Sequence, residues 1–270
     1  MITGSIPFAF ALTAVAGLST GIGSLIALFA KETNHKFLAV SLGFSAGVMV
    51  YISTIEIFPE ARASLSIHLG EKLGYSMTVA AFFAGILLIA IIDKLIPEAQ
   101  NPHEMKAPLG DKKDMPVHKG KLMRTGLFTA LAIGIHNFPE GLATFVAALQ
   151  EPTLAIPIVI AIAIHNIPEG ISVAVPIYYA TGSRKKAFLF SFASGLAEPV
   201  GALVGFLILL PFMNELAFGL LFALTAGIMV FISFDELLPA AQEYGEHHLA
   251  VYGLVAGMAL TALSLLLLKN

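Results

Sequence analysis

Stretches of 18 or more predominantly apolar residues recur along the whole 270-residue chain, and they limit its fold more than any other feature. A run of that length is enough for a helix to cross the hydrocarbon core of a bilayer. The runs fall at about 6–30, 37–59, 75–97, 124–149, 153–179, 186–211, 215–240 and 248–268. Within a bilayer every backbone polar group must be satisfied inside the segment, so these runs predict helices. The expected fold is therefore all-α: a polytopic bundle of eight transmembrane helices in a single domain, residues 1–270. Composition agrees. Hydrophobic residues make up 57% of the chain and charged residues 12%, about half the charged share of an ordinary soluble domain. The first run has no basic segment before it and no convincing cleavage site, so it reads as a retained span and not as a signal peptide.

Orientation follows from the basic residues, which concentrate on the cytoplasmic side. With the N-terminus outside, Lys31, Lys36, Lys94, Lys106, Lys112, Lys113, Lys119, Lys121, Arg124, Arg184, Lys185 and Lys186 lie inside. Only Arg62, Lys72 and Lys269 lie outside. That excess predicts both termini outside. The one long polar segment, 98–121, then becomes a mobile cytoplasmic loop between spans 3 and 4. It carries His103, Glu104, Asp111, Asp114 and His118, so it reads either as a solvated linker or as a weak metal-collecting loop. The net charge of −3 gives no reason to expect a nucleic-acid partner. The absence of cysteine removes thiolate metal sites and cysteine nucleophiles.

Two internal repeats constrain the architecture. Residues 43–61, GFSAGVMVYISTIEIFPEA, match residues 223–241, ALTAGIMVFISFDELLPAA, at nine of nineteen positions. These are spans 2 and 7, five apart, so the copies point in opposite directions. A fainter echo links spans 1 and 6 at Gly17-Leu18 and Gly195-Leu196. The pattern predicts an inverted repeat, spans 1–3 and 6–8 around spans 4–5, with the site near the bilayer midplane. The second repeat is tighter: AIGIHNFPEG at 132–141 and AIAIHNIPEG at 161–170, identical at eight of ten positions.

That motif carries the chemistry. At 3.6 residues per turn His136 and Glu140 share one helix face, with Asn137 beside them, and His165, Asn166 and Glu169 repeat the arrangement. Pro139 and Pro168 are expected to kink their helices. At about 1.5 Å per residue, His136, His165 and Glu198 each lie about 18 Å from a span edge, and Met49 falls at a similar depth. Three carboxylates at that level, Glu140, Glu169 and Glu198, cost about 8–10 kcal/mol if uncompensated, and no Lys or Arg shares their depth. A divalent cation, or protons, must balance them. Imidazole and carboxylate without thiolate suit Zn²⁺, Fe²⁺, Mn²⁺ or Co²⁺ and disfavour Cu(I), Mg²⁺ and Ca²⁺. Glu56 and Glu60 fall near the outer end of span 2, and Asp235 and Glu236 near the inner end of span 7. These acidic groups mark the two ends of a path, or are ordinary helix-end charges.

The duplicated HNxPEG element resembles the signature of the ZIP family of metal transporters in its fourth and fifth helices. The resemblance implies an eight-helix bundle that takes up zinc and related divalent metals (iron, manganese, cobalt, cadmium) across the cytoplasmic, or inner, membrane. It also implies a two-metal centre. His136, Glu140, His165 and Glu169 would hold one ion with Met49 nearby; Asn137, Asn166 and Glu198 would help hold a second. Some relatives carry Gln or Asp where this chain has His165 and Asn166. The metal is cargo here and not a cofactor. The expected partners are divalent cations and the lipid bilayer, with a homodimer left open. A selective channel is the nearest alternative. An intramembrane metalloenzyme is the more distant one, and the chain has no HExxH or GxSxG to support it.

Overall fold

The computed structural model describes residues 4–29, 35–95, 119–150, 152–209, 214–244 and 247–268. Every regular element among them is helical. In chain order these are α1 (Ile6–Phe29), α2 (His35–Tyr51), a π-helical turn π1 (Ile52–Ile57), α3 (Phe58–Leu69), α4 (Glu71–Leu95), α5 (Lys119–Gln150) and α6 (Pro152–Thr181). They are followed by α7 (Arg184–Gly195), α8 (Ala197–Val204), π2 (Gly205–Leu209), α9 (Glu215–Ile232), π3 (Ser233–Leu237), α10 (Leu238–Tyr244) and α11 (His247–Leu268). Residues 98–118 of the expected polar loop lie outside the described residues, and its last three residues already belong to α5.

Among the described residues, seven stretches are long and apolar enough to cross a membrane: Ile6–Ile26, Ala39–Leu69, Glu71–Lys94, Ala155–Val175, Arg184–Ile208, Leu216–Gln242 and His247–Leu267. The expected fourth span is not among them, although α5 covers it. The reason is physical. Three basic residues stand in the first turns of α5, and HNFPEG interrupts its apolar run without the Ile- and Val-rich flanks of α6. Leu127 and Leu131 in the first half of α5 are exposed, but from Glu140 to Leu149 every residue is buried against protein, so that half does not need a lipid-facing surface. The outermost helices, α4 and α11, do: Phe83, Leu87, Ile91, Val255 and Leu263 are exposed.

The expected kinks at Pro139 and Pro168 are not breaks, since the helical assignment of α5 and α6 runs through both prolines. The irregular turns lie elsewhere. Pro59 and Pro239 cannot donate a backbone hydrogen bond, and their rings crowd the carbonyls four residues back. In each case the preceding residue re-pairs one residue further back: Phe58 N–H donates to Ser53 O, and Leu238 N–H to Ser233 O. This widened register defines π1 and π3, which occupy matching places in the 43–61 and 223–241 repeats. Single π turns within helices often accompany functional sites.

One group of helices comprises α1 and α5–α8, another α2–α4 and α9–α11, and the two groups meet chiefly where α2 packs on α6 and α5 on α9. Several contacts are so close that only glycine fits. A Cβ at Gly47 would strike the carbonyl oxygen of Leu254, and one at Gly227 that of Phe82. Gly17 and Gly195 each approach the other's carbonyl in the same way. Small residues are what allow membrane helices to pack backbone to backbone.

Candidate metal centre

The two HNxPEG elements meet where α5, α6, α1 and α8 converge. Gly141 closes on the carbonyl of Glu198, and Gly170 on that of Thr20. These approaches draw α5 against α8 and α6 against α1. Glu140, His165, Asn166, Glu169 and Glu198 are all buried, as is Asn137. His165 Nε2 lies 3.4 Å from Glu140 Oε1 and 3.9 Å from Glu169 Oε1. One imidazole thus sits between carboxylates from two helices.

The asparagines are held from the backbone. Asn166 Nδ2 donates to Ala16 O at 2.9 Å and also to Glu198 Oε1. Asn137 Nδ2 donates to Ser194 O at 3.5 Å. Both amides are therefore oriented with nitrogen on a neighbouring carbonyl. Their oxygens face the other way and find no hydrogen-bond donor: Asn137 Oδ1, Asn166 Oδ1, both oxygens of Glu140 and Glu198 Oε2 are buried without one among the described residues. Buried acceptors are normally paired, and leaving one unpaired costs about 1–3 kcal/mol. A cluster of orphaned oxygens with no buried Lys or Arg among the described residues is suited to a cation.

Other expected residues stand at different removes. Met49 is fully buried on α2, one turn from Ser45, whose hydroxyl donates to His165 O at 3.3 Å. The His136 position falls within α5, but its side chain lies outside the described ones. Glu56 is buried in π1, while Asp235 and Glu236 are half-buried in π3 and Glu60 is half-buried on α3. Among the described residues, no group of three His, Asp or Glu side chains already stands in the arrangement of a metal site. Ser45 and the Ala16 and Ser194 carbonyls escape sequence reasoning. Ser45 alone left a signal, in the Ser/Thr correspondence between positions 45 and 225 of the repeat.

Comparison with known proteins decides the family. The family model described as ZIP zinc transporter matches residues 97–265. The chain belongs to the ZIP family. It is similar to the zinc transporter ZupT of Streptococcus mutans, 65% identical over 259 residues that cover 96% of this chain and 97% of that protein. ZupT of Chlorobaculum parvum is 63% identical over 263 residues, covering 97% and 98%. ZupT of Clostridium perfringens is 60% identical over 271 residues, covering 96% and 95%. Both HNxPEG elements lie inside the region that the ZIP model matches. The likeness therefore covers the cluster as well as the bundle, and this chain is a multi-pass membrane transporter.

Proposed function

We propose that this ZIP protein carries zinc, and related divalent cations such as Fe²⁺, Mn²⁺, Co²⁺ and Cd²⁺, into the cytosol through the buried cluster of α5, α6 and α8. The observation that supports this most is the set of carboxylate and amide oxygens buried without hydrogen-bond donors. Glu140, His165 and Glu169, with His136 and Met49, would hold one ion. Asn137, Asn166 and Glu198 would hold the second. The nitrogens of both asparagines are engaged on carbonyls, so only their oxygens are turned toward an ion. Zinc uptake into liposomes containing the purified chain tests the reading. Accumulation above protein-free liposomes is the expected result, and none would remove it.

The close helix contacts support an inverted arrangement. The Gly47–Leu254 approach joins spans 2 and 8, and Gly227–Phe82 joins spans 7 and 3, as an exchange of the two repeats requires. Gly141–Glu198 and Gly170–Thr20 relate spans 4 and 6 to spans 5 and 1 in the same way. With both termini outside, Glu56 then serves the outer end of the path and Glu236 the inner end. A cysteine at position 56 is expected to react with an impermeant thiol reagent added outside, and one at 236 only with reagent reaching the cytosolic side. Zinc is expected to change both rates, as alternating access requires. Labelling of both from one side would overturn the topology, and correct sidedness without a zinc effect would favour a channel. The exposed apolar faces of α4 and α11 are where lipid, or a second copy in a homodimer, would sit.

A further inference from the structure

Beside the central cluster lies a cavity of about 10 Å³ lined by Glu140, Thr144, Thr225, Met229, Ile162 and Phe222, among others. That is room for about one water-sized occupant. Thr144 and Thr225 are 2% and 1% exposed. Their hydroxyls have no hydrogen-bond partner among the described residues. Of the six buried threonines, Thr20 is the third whose hydroxyl lacks a partner among the described residues, and it does not line this cavity. Thr13, Thr78 and Thr261 each bond the carbonyl four residues back, at 3.0, 2.8 and 2.9 Å, the ordinary way to satisfy such a hydroxyl. Position also matters. Thr225 occupies the place in the repeat that Ser45 occupies in the other copy, and the Ser45 hydroxyl is committed to His165 O. Neither Thr144 nor Thr225 was singled out by its sequence.

We propose that the Thr144 and Thr225 hydroxyls, with Met229 at the same wall, form a transit position for a partly dehydrated divalent cation on the outer side of Glu140. The proposal rests on the uptake reading above. Thr144 is one helical turn, about 6 Å, from Glu140 toward the outer end of α5, so an ion here is one step from the first central carboxylate. The space is too small for a cation with its full water shell. Two neutral hydroxyl oxygens replace part of that shell without adding charge. Oxygen donors of this kind hold a borderline cation less firmly than imidazole does, so the ion is released inward to Glu140 and His165. Met229 contributes a polarizable sulfur at the same wall.

Valine has the shape of threonine without the hydroxyl, so Thr144→Val, Thr225→Val and the double variant test the proposal in liposomes containing the full chain, with initial zinc uptake measured against zinc concentration. The double variant is expected to raise the half-saturating concentration about tenfold and leave the maximal rate within about twofold, the pattern of lost cation binding without a lost transport step. Thr144→Ser and Thr225→Ser, which keep the hydroxyl, are expected to behave as wild type. An unchanged half-saturating concentration overturns the proposal, because the hydroxyls would then hold water only. A reduced maximal rate at unchanged half-saturation also overturns it. If the double variant fails to reach the bilayer, each single variant, expected at about threefold, decides the matter. Glu140→Ala run alongside separates the two readings: its retention of uptake would remove the central cluster, whereas its loss beside normal threonine variants would remove only the transit position.

Discussion

Replacing Glu140 or Glu169 with alanine is expected to abolish zinc uptake while the protein still inserts and remains folded. Both carboxylates approach the same imidazole, that of His165. Truncating one charged partner of a buried binding contact costs about 2–5 kcal/mol of binding, which is a loss of about 1.5 to 3.5 orders of magnitude in affinity. Stability should move the other way. Each buried carboxylate costs about 2.5–3.5 kcal/mol at the bilayer centre, so the metal-free variants are expected to melt no lower than wild type. Glutamine at either position keeps the shape and should lose uptake nearly as fully, because charge and not volume is what the ion needs. Uptake at the normal rate in either alanine variant would be incompatible with ions crossing at this cluster.

The second large effect is structural. Gly17 on α1 and Gly195 at the end of α7 face each other so closely that a Cβ on either meets the other's carbonyl oxygen. Backbone cannot give as a side chain can, so Gly195→Val must push the two helices apart. Overpacking of this kind costs about 1–3 kcal/mol. The displacement would reach the site at once: Ala16 and Ser194, whose carbonyls hold Asn166 and Asn137, are the immediate neighbours of these glycines. Gly195→Val is therefore expected to lower the melting temperature in detergent and to reduce uptake together. Gly134→Ala is the control. A Cβ there meets nothing within 4 Å, and alanine is the better helix former by about 1 kcal/mol. Wild-type melting of Gly195→Val would contradict the packing described.

Much of this was legible in the chain itself. Apolar run length specifies helices because a bilayer allows little else. The duplicated HNxPEG element marks the pair of helices that carry His165, Glu140 and Glu169, because its spacing puts polar side chains on one face. What escaped depends on neighbours in space. The behaviour of the prolines is an example: four residues of the same type, Pro59, Pro139, Pro168 and Pro239, are treated in two ways. The first and last sit behind π turns, and the middle two sit within continuous helix. The shortfall of α5 in apolar length reflects its basic first turns and the polar HNFPEG insert; the burial of its second half by other helices is what composition does not record. The HNxPEG spacing sets Asn137 and Asn166 beside the histidines and glutamates of their own helices. The Ala16 and Ser194 carbonyls that hold their amide nitrogens belong to distant segments. Thr144 and Thr225 look like ordinary helical threonines until their hydroxyls are found unbonded beside Glu140.

The most direct measurement of the central claim is zinc K-edge X-ray absorption on the purified, zinc-loaded chain, compared with His165→Ala. The account predicts a first shell of nitrogen and oxygen, with zinc–nitrogen distances of about 2.0–2.1 Å and the outer-shell scattering of imidazole. The imidazole contribution should weaken in His165→Ala. Bound zinc with the same spectrum in both proteins, or with no imidazole signal in either, would place the ion somewhere other than beside Glu140, His165 and Glu169.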